Sequence, residues 1–180
     1  MAFPEPPCIM ATVSQDLIAC VMLSTPNSVF VYQCSSAVGA ELSIKPFAMI
    51  GNLPGQVSAV DIRKADDGTA ILAIAFWAIP AVVVYKVTRS ESVVVCRCEC
   101  EEVVATIVSV LVCHLTDSDW AVFVASVEGA VGCLKLTLHP QPTSTSDSTF
   151  KLLSSASTRP VRLFKHSRDT VFATCDHPMF

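Results

Sequence analysis

Ala70-Ile71-Leu72-Ala73-Ile74-Ala75-Phe76-Trp77-Ala78-Ile79-Pro80-Ala81-Val82-Val83-Val84-Tyr85 holds no charged residue, and a single proline interrupts it. A run of this kind approaches the length of a membrane span. Its second half, Ala81-Val82-Val83-Val84-Tyr85, is β-branched and favours a buried strand, and Pro80 marks a break before it. A second uncharged window, 17–40, carries Ser24-Thr25-Pro26-Asn27-Ser28 at its middle. A turn there would leave costly unsatisfied backbone in hydrocarbon, so the window reads as two short strands. Both runs are therefore read as strand pairs, and a membrane-associated β-rich protein remains a third reading that rests on hydropathy alone.

The same pattern of apolar strand, short turn and second apolar strand recurs at 17–34, 70–87, 120–137 and 170–180. Matching Val31-Tyr32 to Val84-Tyr85, and Val122-Phe123 to Val171-Phe172, gives a period of roughly fifty residues, in the range of propeller blades. Another strand candidate precedes each later repeat: Ser58-Ala59-Val60-Asp61-Ile62, Val108-Ser109-Val110-Leu111-Val112 and Pro160-Val161-Arg162-Leu163-Phe164. More polar strands such as Val93-Val94-Val95-Cys96-Arg97 follow the apolar pair, so one unit holds about four strands. Turn residues at Pro26-Asn27-Ser28, Ala65-Asp66-Asp67-Gly68, Asp117-Ser118-Asp119 and Glu128-Gly129 separate the runs. The segment 101–112 opens with two acids, as a helix would, but its five valines with Thr106 and Ile107 argue for strand. The Ser/Thr/Pro-rich stretch 140–148 reads as a flexible loop.

The fold class is thus all-β: a partial β-propeller of about three to four blades of four antiparallel strands, spanning residues 1–180. Closed propellers have roughly four to eight blades, so the arc is expected to be a fragment of a multi-propeller protein or to need a partner.

Composition narrows function. Of the 180 residues, 52% are hydrophobic and 16% charged, which excludes disorder for most of the chain. The net charge of −4 offers no basic stripe for a phosphate backbone. Nine cysteines without a recognisable basic, apolar leader read as small core residues in a reducing compartment.

Few groups point to chemistry. Cys96, Cys98 and Cys100 alternate and share one strand face, where zinc would need a fourth ligand such as Cys113 or His114. A Cys-lined face with Arg97 and Glu99 toward solvent is the preferred reading, and no metal or cofactor is expected. Cys175, Asp176 and His177 could be drawn as a triad, but adjacent residues on a strand point to opposite faces. The six glycines form no phosphate loop, so no enzyme activity is expected. Arg159, Arg162, Lys165, His166 and Arg168 form the basic cluster, read either as a solvated face or as a nucleic-acid contact through Arg159, Arg162 and Arg168.

Gln56-Val57-Ser58-Ala59-Val60-Asp61-Ile62, Leu72-Ala73-Ile74-Ala75-Phe76-Trp77, Ser157-Thr158-Arg159-Pro160-Val161-Arg162-Leu163-Phe164 and Val171-Phe172-Ala173-Thr174-Cys175-Asp176-His177-Pro178 together resemble a family of large multi-propeller proteins. The family comprises the large subunit of the damage-specific DNA-binding complex, which is the adaptor of a cullin-RING ubiquitin ligase, a spliceosomal subunit, and the large subunit of the cleavage and polyadenylation specificity factor. The resemblance runs from about Thr12 to the chain end, and its tail is closest to the ligase adaptor. It implies the second propeller of that family and a non-catalytic interaction scaffold in ubiquitination and DNA-damage response. Cullin scaffold and substrate receptors are the implied partners. It also implies a nuclear location, with the cytoplasm as a second one, no membrane, and indirect association with DNA or RNA. The alternative it implies is an RNA-processing subunit acting in splicing or polyadenylation. Phe76, Trp77 and Ile79 are the implied partner-binding residues, Trp77 foremost, with a packing role between sheets as its other reading. Where the adaptor reads Gly-Leu-Trp-Thr-Asp, this chain has Ala75-Phe76-Trp77-Ala78-Ile79, keeping the aromatic and losing the polar pair.

Overall fold

The computed structural model describes residues 7–12, 16–35, 43–65, 67–103, 105–116, 118–138, 147–155, 160–167 and 170–175. These residues form fourteen strands and no helix. Strands β1 (Pro7–Thr12), β2 (Leu17–Met22), β3 (Val29–Ser35) and β4 (Ser43–Ile50) make the first sheet, in that order. The second holds β5 (Val57–Lys64), β6 (Ala70–Phe76), β7 (Ile79–Val87) and β8 (Ser92–Glu99). In the third are β9 (Ile107–His114), β10 (Asp119–Ser126), β11 (Ala130–Thr137) and β12 (Asp147–Ser155). A last pair, β13 (Pro160–Ser167) and β14 (Thr170–Cys175), forms a two-stranded sheet. Every pairing is antiparallel between strands consecutive in sequence.

The charge-free run becomes the β6–β7 hairpin, and its composition follows from where that hairpin lies. Side chains alternate across a strand, so a sheet covered on both faces needs apolar residues at odd and even positions. Ala70, Leu72, Ile74 and Phe76 pack with Leu17, Val21, Val29 and Val31 of the first sheet. Ile71, Ala73 and Ala75 pack with Val110, Trp120, Val122 and Leu134 of the third. Full burial of each larger side chain is worth about 1.5–3 kcal/mol, which makes the sandwiched sheet the main source of cohesion. No helix of the described residues is long and apolar enough to cross a membrane.

The sheets meet most closely along their first strands: β5 lies against β1 and β2 on one side and against β9 on the other, and β9 lies against β13. Polar side chains stitch this inner row. Ser58 Oγ donates to the Ile107 carbonyl at 2.6 Å, Val112 N–H donates to Asp61 Oδ2 at 2.7 Å, and Leu163 N–H donates to Ser109 Oγ at 3.2 Å. Asp61 is half-buried in that seam, and burial pushes its carboxyl up to about 6 against the opposing effect of the Val112 N–H. A second stitch joins the first two sheets, where Asp16 accepts from Gln33 at 2.7 Å and from Lys64 at 3.0 Å, and Arg89 donates to Gln33 Oε1.

The strand pairs expected at 17–34, 70–87 and 120–137 are β2–β3, β6–β7 and β10–β11, and the preceding strands are β5, β9 and β13. Within 101–112 the strand starts only at Ile107, after a turn in which Val103 N–H donates to the Cys100 carbonyl at 2.8 Å. The stretch 140–148 falls largely outside the described residues, but Asp147 and Ser148 already belong to β12, paired with Thr137 and Leu136.

Candidate functional site

The antiparallel order sends the β2–β3, β6–β7 and β10–β11 turns to one end of the sheets, together with the described linker residues 51–56, 100–103 and 105–106 that carry the chain to the next sheet. At this end three strands stop in the same way. Met22, Phe76 and Ser126 are buried, and the next residue of each strand emerges: Leu23 is 76% exposed, Trp77 46% and Val127 37%. Exposed large apolar groups at one equivalent position in three successive sheets form a repeated surface feature, where single scattered ones would need no explanation.

The linkers hold these turns. Trp77 N–H donates to the Gln56 carbonyl at 2.8 Å, and fifty residues on Val127 N–H donates to the Thr106 carbonyl at 3.0 Å. Leu53 and Val103, again fifty apart, plug the cores on either side of the second sheet. Leu53 N–H and Val57 N–H donate back to the Asn27 and Pro26 carbonyls at 3.2 and 2.9 Å, tying the linker to the β2–β3 turn. Gly55 leaves room for Ile79, since a Cβ there would lie 2.9 Å from Ile79 Cδ1. Ala78 completes the tight turn with φ of 58°, a left-handed conformation that costs an L-residue roughly 1–2 kcal/mol. Trp77 is thus exposed on a backbone fixed from both sides. An open depression of about 550 Å³, lined by the turn 24–28 with Asn52 and Leu53, lies beside Leu23.

Of the three residues expected to meet a partner, the structure separates one from the others. Phe76 is fully buried between the first two sheets and cannot reach a surface partner, because it continues the inward face of Ala70, Leu72 and Ile74. Trp77 is exposed and is not a packing residue of the core, and Ile79 sits half-buried across the turn. Leu23 and Val127 were not singled out from sequence, although the fifty-residue repeat places them at the Trp77 position. Arg162 lies on β13 opposite Thr174, with its side chain outside the described residues, as are Arg159 and Arg168 altogether.

The cysteine strand is arranged as its alternation implies. Cys96 and Cys100 are buried and Cys98 half-buried in the core between the second and third sheets. Arg97 and Glu99 are exposed and pair at 3.9 Å. Cys113 belongs to a separate cluster with Ala121 and Cys133 on the other face of the third sheet, so it does not join them. His114 stacks on Trp120 with ring centroids 4.4 Å apart. Among the described residues no group of three or more His, Cys, Asp and Glu side chains is placed to hold a metal. Cys100 Sγ donates to the Cys98 carbonyl at 3.9 Å, and the two neighbouring thiols shift in opposite directions: interaction with Cys100 holds Cys98 below the ordinary thiol range, while interaction with Cys98, together with burial, pushes Cys100 far above it. Cys175 lies on β14, and 176 and 177 fall outside the described residues.

No protein-family model and no curated protein matches the chain.

Proposed function

We propose that the chain is a partial β-propeller acting as a non-catalytic protein-interaction scaffold, comparable to the second propeller of the ligase adaptor it resembles. The observation that carries the reading is the row of exposed Leu23, Trp77 and Val127 on turns tied down by their linkers. A rigid, partly exposed Trp loses little conformational freedom on binding and is a common interface anchor.

The blade assignment is supported by three four-stranded meanders whose first strands pack side by side in the order β1, β5, β9, β13. Sheets arranged around an axis crowd at their inner strands and spread at their outer ones. Closed rings use roughly four to eight blades, so three and a half call for further blades or for a partner that covers the open faces. Ubiquitination, DNA-damage response and a nuclear location come from the resemblance.

Affinity capture from nuclear extract, with captured proteins identified by mass spectrometry, tests the reading. Cullin and ring-finger proteins that disappear with Trp77→Ala are the expected result. Spliceosomal or polyadenylation subunits would assign the chain to the RNA-processing branch of the same family. Neither set above background would sink the scaffold reading.

A further inference from the structure

We propose that the turn end of the sheets docks a lysine- and arginine-rich segment of a partner protein, whose apolar side chains seat on Leu23, Trp77 and Val127. This rests on the scaffold reading and adds the chemistry of the partner. Charge at that end carries the argument. The described turns and linkers there, 23–28, 51–56, 77–78, 100–103, 105–106 and 127–129, contain Glu101, Glu102 and Glu128 and no Lys or Arg. All three carboxylates are exposed. The ion pairs among the described residues, Lys64–Asp16, Lys86–Asp67 and Arg97–Glu99, do not include them. The opposite end is mixed in sign, with Lys64, Lys86 and Arg89 beside Asp16, Asp67 and Glu91. Among the described residues of these turns and linkers the apolar row is bordered by carboxylates and by no cation, and the nearby Arg97 is already paired with Glu99, which favours a cationic partner, since opposite potentials steer encounter and like charges repel wrong ones.

Spacing sets the register of the segment. Sheets packed face to face stand about 10 Å apart, and a polyproline II segment advances about 3.1 Å per residue with three residues per turn, so every third side chain of such a partner faces the row at about the spacing of neighbouring turns. The probe is therefore the peptide Leu-Lys-Lys-Phe-Lys-Lys-Leu, with its glutamate counterpart Leu-Glu-Glu-Phe-Glu-Glu-Leu as the opposite-charge control.

Binding of each peptide to the full chain is followed by calorimetry and by tryptophan fluorescence, in the parent and in three variants whose folding is checked by circular dichroism. The inference expects the lysine peptide to bind and the glutamate peptide not to. It expects Glu101→Lys/Glu102→Lys/Glu128→Lys to weaken binding by about tenfold or more, as for several charges acting together at an interface. The far-end reversal Glu91→Lys, which changes charge away from the turns, should change it by less than about twofold. Trp77→Ala should weaken it as much as the triple variant. If both peptides bind alike and only Trp77→Ala matters, the charge inference is overturned while the scaffold reading stands. If Glu91→Lys weakens binding as much as the triple variant does, the attraction belongs to net charge and the inference also fails. Loss of peptide binding to a dimer of the chain, seen by light scattering, would make a second copy the occupant instead. If neither peptide binds, the cationic-segment inference falls and the scaffold reading rests on the capture experiment alone; if the lysine peptide binds but Trp77→Ala changes nothing, the turn row is not where it binds and the inference falls.

Discussion

Trp77 N–H donates to the carbonyl of Gln56 at 2.8 Å, fixing the exposed β6–β7 turn to the residue that opens the same sheet. Val127 and Thr106 repeat the bond in the next sheet at 3.0 Å. Turn amides normally exchange quickly with solvent. Here the Trp77 and Val127 amides are expected to be protected as strongly as amides within β6 and β10, and hydrogen exchange read by NMR checks this. Rapid exchange at both would mean that the linkers do not hold the turns.

Ala78 has φ of 58°, where only glycine is unstrained. Ala78→Gly is predicted to stabilise the chain by about 0.5–1 kcal/mol, the strain relieved less the extra entropy of the unfolded glycine. Urea unfolding of both forms measures it, and a loss of stability would contradict the turn geometry.

Gly132 in β11 lies against the ring of Phe150 in β12. A Cβ on it would meet Phe150 Cε2 at 2.7 Å and Val124 Cγ2 at 3.3 Å. Gly132→Ala should cost about 1–3 kcal/mol through overpacking, and Phe150→Leu in the same chain should recover part of that loss. Additive penalties would show that the two residues do not share this space.

Asp61 gives stability a pH dependence of definite sign. Its carboxyl, raised by burial to about 6 from an ordinary value near 3.8, binds its proton more tightly in the folded chain. Its contribution is therefore fully present below about pH 4 and is lost as pH rises through 6, by about 2–3 kcal/mol for a shift of this size. Asp61→Asn keeps an oxygen for the Val112 N–H and should flatten the parent's slope between pH 4 and 7. Equal slopes in the two proteins would place the titration elsewhere.

Thiol chemistry offers a local check on the second sheet. Cys98 is half-buried with a lowered thiol pKa, whereas Cys96 and Cys100 are buried and raised. Alkylation by iodoacetamide at neutral pH should modify Cys98 well before its two neighbours, because the thiolate is the nucleophile. Peptide mapping that found Cys100 modified first would contradict the opposite shifts of the two thiols.

The parts of the fold visible in the sequence are those where both strand faces are covered. β6 and β7 carry apolar residues at every inward position because sheets lie on both sides of them, and that signal is strong. The outer strands read poorly: β4 contains Lys45 and Pro46, and β12 opens with Asp147-Ser148-Thr149, since an exposed edge strand needs no apolar alternation. Phe76 and Trp77 look alike in sequence, but one residue of register sends the first inward and the second to solvent. Leu23 and Val127 stay hidden because each looks like the end of an apolar run, and only their common place after the second strand of a sheet distinguishes them. The acidic border at the turn end joins Glu101 and Glu102 of one linker to Glu128 of the β10–β11 turn, residues that their separation in the sequence does not link.

A photo-reactive phenylalanine analogue placed in turn at Leu23, Trp77 and Val127, with Thr88 and Thr116 at the opposite end as controls, tests the central claim most directly. Crosslinks to the same captured partner from all three turn positions in nuclear extract, and none from the controls, are the expected result. Crosslinks confined to the opposite end, or equal at both ends, would contradict it.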